Sequence, residues 1–431
     1  MKLRRAAIRP FRLPLTRPLE TAHGRISERM GWLVELEDEA GRCGFGEATP
    51  LPDFGTEDLA SCRGALEAAL SACIRGDAED GPPVPVERVD RRKAFPGTGV
   101  PCARFAFEAA QFDLAAKCAG RSLAGEIRDR AGEKGAPEAS VAVQALVGGE
   151  DPASVEERAR ELTAVGFEAF KLKLAVSRNA RDLGLDLERV SALRSVVGPE
   201  ARLRLDANEA WNRDAAATAL IALEKFGIDY VEQPVGREDL VGLKWLSTNG
   251  AIPVAADEAL LGDGLANCLE ARAASILIVK PAAIGGVSDS IAIWRRAREQ
   301  GLRVVWSSLI DGAVGRAAPL ALAAGLGPAD EVHGLGTAGL FAKDLAAASD
   351  LGRLDRRGRM PVSPEPGIGF EPEIPVVTPR RGSHVKSHAG QGGARSGERS
   401  SQPLVDRAGA DGEIAGSDAR HDQTPVFEVV A

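Results

Sequence analysis

From about residue 140 onward, short β-rich runs alternate regularly with stretches of helical pattern. There are eight such runs: VAVQALV, AFKLKLA, ARLRLDAN, DYVEQP, IPVAADE, SILIVKPA, RVVWSSL and EVHGLG. Measured from Lys173, successive ends lie 23 to 33 residues apart, at Asp206, Glu232, Asp257, Lys280, Ser307 and His333. Repeating strand–helix units of this length are typical of a closed parallel barrel. We therefore predict an α/β protein with a (β/α)7–8 barrel of the TIM type over residues 136–345.

The segments on either side of the predicted barrel differ from it. Residues 1–135 have strand-like runs at Arg4–Leu13 and Gly31–Leu36 and a hairpin turn at DEAGR, which predict an α+β capping domain. Helical patterns follow at Glu57–Ile74 and Pro101–Cys118. We expect the Gly- and Pro-rich residues 346–380 to return to the cap. Residues 381–431 hold only 8 Val, Leu, Ile or Phe among 51, which predicts a disordered, low-complexity tail.

Composition excludes several classes of function. A formal net charge of -8 disfavours binding to nucleic acid or to anionic membranes, and no apolar run is long enough to span a bilayer. The six cysteines form no CxxC pair, which favours a reducing, cytoplasmic location over a zinc or disulfide protein. We therefore expect a small-molecule partner. The sequence does not determine the oligomeric state.

The charged residues at the predicted strand ends form an unusual set. Because active sites of such barrels lie at the carboxyl ends of the strands, Asp206, Glu232 and Asp257 are expected to converge there. Three converging carboxylates repel one another unless a cation lies between them. Oxygen ligands suit Mg²⁺, with Mn²⁺ as a substitute.

Lysines flank these carboxylates on both sides. A nearby metal ion and Lys171 would lower the pKa of Lys173 toward neutrality, so that it could move protons. Lys280 follows the sixth strand. Such an arrangement suits chemistry α to a carboxylate, in which the metal stabilises an enediolate. Singly, each residue has an ordinary structural explanation, but five charged groups at successive strand ends share none.

The ordered motifs AFKLKL, LRLDANEAW, VEQP, ADE and VKPAAIGG resemble the enolase superfamily, in its muconate-lactonizing-enzyme subgroup. The resemblance extends over residues 1–375 and implies an enolase-like fold, a barrel with a capping domain. It implies Asp206, Glu232 and Asp257 as Mg²⁺ ligands. It also implies Lys173 and Lys280 as the catalytic pair.

Two stretches narrow the choice within the superfamily. Trp306-Ser307-Ser308 replaces the histidine base that mandelate-type racemases carry after strand 7, and Gly334–Thr337 lacks the Asp-x-Asp of dipeptide epimerases. VVWSSLIDGAVG and VHGLGT resemble o-succinylbenzoate synthases of menaquinone and phylloquinone biosynthesis. The implied reaction dehydrates 2-succinyl-6-hydroxy-2,4-cyclohexadiene-1-carboxylate to 2-succinylbenzoate through an enediolate. Lys173 would take the proton and protonate the departing hydroxyl.

One departure and two alternatives remain open. The serines of the familiar pattern are replaced here by Gly312 and Ala313, so that other groups, for example backbone N–H groups, would have to bind the succinyl arm. A racemase or epimerase of N-acylamino acids or dipeptides would use Lys173 and Lys280 for two-base proton transfer. A non-catalytic small-molecule binder is disfavoured, because it needs neither lysine.

Further candidates support or contact the substrate. Lys171 and Asn208 lie near the expected ligands, and Glu258 should point away from Asp257 because side chains alternate along a strand. Arg204 either binds the substrate carboxylate or pairs with a ligand carboxylate inside the barrel. The remaining candidates are loop residues at the barrel mouth: Gly285, Ser307, Ser308 and Gly336. The resemblance implies that the loop TAHGRISER, with His23 and Arg25, closes over the active site; an ordinary solvated turn is the alternative.

Overall fold

A closed barrel of parallel strands forms the centre of the computed structural model. Its first strand is interrupted at Gln144, and its two halves pair with different neighbours. The strands are β4 (Ser140–Val143), β5 (Ala145–Val147), β6 (Ala169–Lys173), β7 (Arg202–Asp206), β8 (Ile228–Glu232), β9 (Val254–Ala256), β10 (Ile276–Val279), β11 (Arg303–Trp306) and β12 (Val332–His333). The structure describes residues 2–21, 24–75, 95, 99–174, 183–347, 354–355, 357–375 and 427–430.

Hydrogen bonds run unbroken around the barrel. The sheet order is β5-β6-β7-β8-β9-β10-β11. A bridge between Ser307 and Gly334 joins β11 to β12, and β12 pairs in parallel with β4. Strands such as β10 are buried on both faces, which explains their continuous apolar sequence. The predicted barrel is confirmed.

Helices on the outside connect the strands. They are α4 (Pro152–Val165), α5 (Leu183–Val197), α6 (Arg213–Leu223), α7 (Leu240–Asn249), α8 (Gly264–Ala271), α9 (Pro281–Ile284), α10 (Val287–Glu299) and α11 (Ala313–Leu326). Side-chain caps begin several of them, including Asp151, Asn212 and Asp239. After β12, the described residues form a 3-10 turn at Ala338–Leu340 rather than an α-helix. Seven strand–helix units and a final strand therefore make the barrel.

The capping domain is an antiparallel sheet covered by helices. Its strands are β1 (Leu3–Thr21), β2 (Gly24–Asp38) and β3 (Cys43–Ala48), and its helices are α1 (Leu59–Arg75), α2 (Pro101–Cys118) and α3 (Leu123–Ala131). The β2–β3 hairpin turns at Gly41, which has a φ of +80°, as the sequence predicted. Residues 24–29, expected in a loop, instead belong to β2, because the β1–β2 ladder continues to Thr21 and Gly24.

The chain then returns from the barrel to the cap. Arg359–Pro361 (β13) pairs antiparallel with β4. Farther along, Gly367 exchanges backbone hydrogen bonds with Arg121 and Leu123, and the Ile368 N–H donates to Asp113 of α2. None of the helices in the described ranges combines the length and apolar character needed to cross a membrane.

Four residues of the predicted disordered tail are ordered. Phe427–Val430 (β14) pairs antiparallel with β1, with Phe427 opposite Ile8 and Val430 opposite Arg5. The outer edge of β1 offers backbone groups that a further strand can pair, a constraint that composition does not reveal. The remainder of that tail lies outside the described residues.

A buried histidine lies where the barrel closes. His333 is 1% exposed, and its Nδ1 accepts a hydrogen bond of 3.1 Å from the backbone N–H of Trp306. Burial lowers the pKa of His333 to about 3, and the positive charges of Arg204 and Arg359 add to this effect. The imidazole is therefore neutral in the folded protein.

We expect His333→Asn to make folding less sensitive to acid. In the unfolded chain, His333 has an ordinary pKa of about 6.5. The unfolded state therefore binds an additional proton at lower pH, and the folded state loses stability as the pH falls through that value. Between pH 7.5 and 5.0, wild type should lose about 2 kcal/mol more than the variant in urea unfolding. An identical pH dependence in both proteins would contradict the buried neutral imidazole.

Candidate active site

A cavity of about 330 Å³ lies at the carboxyl ends of the barrel strands. The barrel residues predicted from the strand ends line much of it: Lys171, Lys173, Asp206, Asn208, Asp257, Glu258, Lys280, Ser307 and Ser308. The capping domain supplies a largely apolar part of the wall: Pro18, Leu19, Ile26, Leu51, Asp53 and Phe54. The cap therefore contributes mainly apolar groups, and most of the charged groups belong to the barrel.

Lys171 links two of the predicted metal ligands. Its Nζ lies 2.7 Å from Asp206 Oδ2 and 2.7 Å from Glu232 Oε1. Burial alone would lower the pKa of Lys171, but the charges of Asp206 and Glu232 raise it well above its ordinary value. Lys171 is thus a permanent cation that offsets the repulsion between the carboxylates.

Lys280 belongs to a second pair on the other side of the carboxylates. It follows β10, and its ammonium forms an ion pair with Asp257. The same ammonium lies 4.0 Å from the ring centroid of Phe54, a residue of the capping domain. The aromatic face and the carboxylate together define where the ammonium lies.

Lys173 lies at the end of β6 with its side chain half-buried in the cavity wall. Burial lowers the pKa of Lys173, and the charges of Lys171 and Lys280 add to this effect against the opposing charge of Asp206. A lysine of this kind loses its proton more readily than an exposed one, and can therefore act as a base.

The carboxylates have divergent affinities for protons. Burial would raise the pKa of Asp206, but Lys171 and Lys173 outweigh it and lower the pKa. Burial and the neighbouring charge of Asp206 raise the pKa of Glu232 to about 8. Two buried carboxyl groups on adjacent strands thus do not both ionise freely without further positive charge.

Several buried oxygens in this region have no hydrogen-bond partner among the described residues. They are Glu232 Oε2, Glu258 Oε2 and Asn208 Oδ1. Buried polar atoms are normally paired. The register places Asp206 opposite Glu232, and Asp257 directly follows the next strand. This all-oxygen donor set fits a hard divalent cation.

The placement of Glu258 corrects a prediction. Glu258 lines the same cavity as Asp257, and its Oε1 accepts a hydrogen bond of 3.2 Å from Asn208 Nδ2. Strand alternation does not apply, because β9 ends at Ala256 and Glu258 begins a 3-10 turn. Asn208 is held nearby by its backbone N–H, which donates to Asp206 Oδ1.

Gln233 is a functional candidate that the sequence did not reveal. It is fully buried, and its Oε1 accepts hydrogen bonds from the backbone N–H groups of Asp257 and Ala259. It also adopts a φ of +39°. Its side chain thereby orients the backbone that carries Asp257. The only available signal was its position directly after Glu232.

Arg204 is an interior residue outside the cavity lining. Its fully buried guanidinium donates to Asp229, Glu331 and Gln144 at 2.9 Å each, and to the Val332 carbonyl at 2.7 Å. Neither of its carboxylate partners is a predicted metal ligand. Arg204 therefore is an interior barrel residue paired with carboxylates, as one of its two interpretations had it, but its partners are not the metal ligands and it does not reach the substrate cavity.

Two glycines that were predicted to lie at the substrate site are explained by close packing instead. Gly285 has a φ of +92°, and a Cβ there would lie 2.4 Å from Arg104 Nη2. A Cβ on Gly336 would lie 2.3 Å from the Gln144 carbonyl oxygen. Neither glycine lines the cavity. Both permit close packing, between cap and barrel at Gly285 and within the barrel at Gly336.

The cap loop that was predicted to close over the active site lines the cavity only in part. Arg25 is exposed on β2 and is not among the residues that line the cavity, whereas its neighbour Ile26 is. The predicted His23 lies outside the described residues. The cap therefore reaches the cavity through apolar side chains near Arg25 rather than through Arg25 itself.

The backbone N–H groups expected to bind the substrate arm are already engaged. The Gly312 N–H donates to Glu47 Oε1 and the Ala313 N–H donates to Asp344 Oδ1, both at 2.6 Å. A Cβ at Gly312 would lie 2.7 Å from Leu13 Cδ1. Glycine is present because the cap packs closely there, and the N–H groups of Gly312 and Ala313 are not among the backbone groups available to the arm.

Comparison with known proteins places this geometry in a family. Residues 154–375 match the family described as Enolase C-terminal domain-like, and residues 3–87 match the N-terminal domain of MenC. The N-succinylamino acid racemase of Thermus thermophilus is 31% identical over 383 residues, which cover 88% of this chain and 96% of that protein. The chain belongs to the enolase superfamily. The family predicted from the strand-end motifs is thus confirmed.

Relatives within the enolase superfamily differ in activity. The o-succinylbenzoate synthase of Mycobacterium ulcerans is 39% identical over 199 residues, covering 45% of this chain and 58% of that protein. The dipeptide epimerase of Methylococcus capsulatus, solved with Mg and the dipeptide L-Arg-D-Lys, superposes with a TM-score of 0.73 at 27% identity, over 86% of this chain and 100% of that one. Family membership alone does not select a reaction.

We expect Arg204→Met to lower stability, because it leaves Asp229 and Glu331 without a buried partner. The free energy of unfolding should fall by about 3 kcal/mol in urea titrations. Arg303→Met is the matched control: Arg303 pairs with the same two carboxylates, but its side chain is 38% exposed. The control should lose clearly less. Equal losses would contradict the assignment of Arg204 as the buried structural cation.

Proposed function

We propose that the protein is a Mg²⁺-dependent lyase that dehydrates 2-succinyl-6-hydroxy-2,4-cyclohexadiene-1-carboxylate to 2-succinylbenzoate. The observation that carries this proposal is the position of Lys173 in the cavity wall beside the carboxylate cluster. The 39% sequence identity over 199 residues with an o-succinylbenzoate synthase supports the proposal. The match of residues 3–87 to the N-terminal domain of MenC supports it as well. The loop Gly334–Thr337 also lacks a carboxylate that would bind a substrate ammonium.

Asp206, Glu232 and Asp257 would hold the metal ion. The unpartnered Glu232 Oε2 and the all-oxygen donor set support this assignment. When bound, Mg²⁺ would supply positive charge against the negative charge that develops on the substrate carboxylate. Lys171 forms ion pairs with both Asp206 and Glu232, and so offsets part of the repulsion between them.

Lys173 would perform both proton transfers. Its neutral amine takes the proton from the carbon α to the carboxylate. The resulting ammonium then returns that proton to the departing hydroxyl. One C–H bond and one C–O bond break, a C=C bond forms, and water leaves. The positive charge of Lys280, held by Asp257 and Phe54, would stabilise the intermediate from the other side.

Racemisation of N-succinylamino acids is the second candidate. Lys173 and Lys280 reach the cavity from β6 and from the end of β10, on either side of the strands that carry the carboxylates. Two lysines in such positions suit removal of a proton from one face of a carbon and its return to the other. The Thermus thermophilus racemase, similar over 88% of this chain, supports this candidate.

A substrate panel with Mg²⁺ distinguishes the two candidates. If the lyase proposal holds, the cyclohexadiene absorbance will disappear as 2-succinylbenzoate forms, and EDTA will abolish the reaction until Mg²⁺ is restored. Racemisation can be measured as exchange of the α-proton in deuterium oxide. Turnover of N-succinylamino acids alone would contradict the lyase proposal and support the racemase. Full activity after exhaustive EDTA treatment would remove the metal assignment.

Lys173→Ala should reduce kcat by about 10²–10⁴-fold, the usual contribution of a general acid or base. Lys244→Ala is the matched control, because Lys244 is exposed on α7 and donates to the Arg272 carbonyl away from the cavity. The control should keep wild-type kcat. A Lys173→Ala enzyme within tenfold of wild type would show that another group moves the proton.

A further inference from the structure

Ile310 has a strained backbone at the wall of the cavity. It follows β11 in the segment Ser307–Ile310, whose residues all line the cavity. Its φ is +60°, in the left-handed region. A β-branched side chain is unfavourable in this conformation, which glycine or asparagine adopts far more readily. Such strain persists only where surrounding contacts enforce it.

Hydrogen bonds on both sides of Ile310 enforce this conformation. The Leu309 N–H donates to Asp311 Oδ2 at 2.9 Å, which closes a tight turn around Ile310. Arg316 donates to the Asp311 carbonyl at 2.6 Å. The next residue, Gly312, donates its N–H to Glu47 of the capping sheet at 2.6 Å.

Arg29, on β2 of the cap, joins this turn to a second wall of the cavity. Its Nε donates to the Ile310 carbonyl at 3.3 Å. Its Nη2 and Nη1 donate to the carbonyls of Thr49 and Pro50 at 2.6 and 3.2 Å. Those residues directly precede Leu51, which also lines the cavity. Arg29 is only 5% exposed.

One guanidinium therefore fixes two loops from different domains. A planar group with several fixed donors can hold three carbonyls at once, which a lysine ammonium on a flexible stem does not reproduce. Arg29 holds the backbone carbonyl of Ile310, and Ile310 is also an apolar part of the cavity wall.

We propose that Arg29 is a positioning residue that holds Ile310 in its left-handed conformation, and that Ile310 determines which substrate arm the cavity accepts. The proposal rests on the proposed function, because it assigns the arm of that substrate to the wall formed by Ile310. An apolar wall of this kind favours the methylene part of an acyl arm and disfavours a charged group. Proton transfer itself does not involve either residue.

Kinetics of two single variants and their double variant test the proposal. Arg29→Lys and Ile310→Ala should each raise KM for the succinyl substrate by about tenfold, with kcat nearly unchanged. If Arg29 acts through Ile310, the double variant will have the KM of Ile310→Ala alone. Multiplied effects, or a loss confined to kcat, would overturn the proposal.

Arg194→Lys is the matched control. Arg194 likewise donates to several backbone carbonyls, including those of Phe226, Gly198 and Ala201, but none of these three residues lines the cavity, whereas Ile310 does. The control should lose similar carbonyl contacts and keep the wild-type KM. A raised KM in the control would show that the higher KM of Arg29→Lys comes from general destabilisation of the fold and not from the turn at Ile310.

Amide hydrogen exchange supplies a readout that needs no substrate. In Arg29→Lys, exchange in a peptide covering residues 307–312 should accelerate about tenfold, because the turn opens more often. It should stay at the wild-type rate in Arg194→Lys. Unchanged exchange in Arg29→Lys would overturn the positioning role. If no panel substrate reacts, the proposed function fails, and this measurement still decides whether Arg29 holds the turn.

Discussion

Convergence of like charges at one edge of the barrel is the constraint on which the site depends. Parallel strands bring Asp206 and Glu232 into register, and Asp257 follows on the next strand. Left alone, these buried carboxylates would repel one another. Lys171 and Lys280 compensate from the two sides. The resulting set of lysines and carboxylates suits the stabilisation of a carbanion next to a carboxylate, and is poorly explained by folding stability alone.

The capping domain completes the cavity from above. Phe54 contacts the ammonium of Lys280, and Arg29 donates a hydrogen bond to the Ile310 carbonyl in the loop after β11. Glu47 accepts N–H groups at the start of α11, where Gly312 leaves room for it. Cap and barrel thus form parts of one site, to which the cap contributes mainly apolar residues and the barrel most of the charged ones. Under the proposed function, Ile310 would select the substrate arm and Lys173 would transfer the proton.

Sequence reasoning succeeded where position along a strand decides position in space. The ends of parallel strands meet at one edge, so Lys173, Asp206 and Glu232 could be predicted to lie together. It failed where local pattern and tertiary environment diverge. Arg204 has the alternation of a site residue but lies within an internal ion-pair network. Glu258 departs from strand alternation because the strand had already ended.

The sequence alone determined the barrel, the family and the charged residues at the barrel mouth. Hydrophobic period, motif spacing and residue type are properties of the sequence itself, so they can be recognised before the fold is known. Only the tertiary structure decided which partners those residues meet. The hydrogen bond from Arg29 to Ile310 joins residues 281 positions apart. The left-handed conformations of Ile310 and Gln233 are also invisible in residue type, since both residues ordinarily avoid them. The contact between Arg29 and Ile310 arises from packing two domains together, and local propensity opposes rather than predicts the two left-handed conformations.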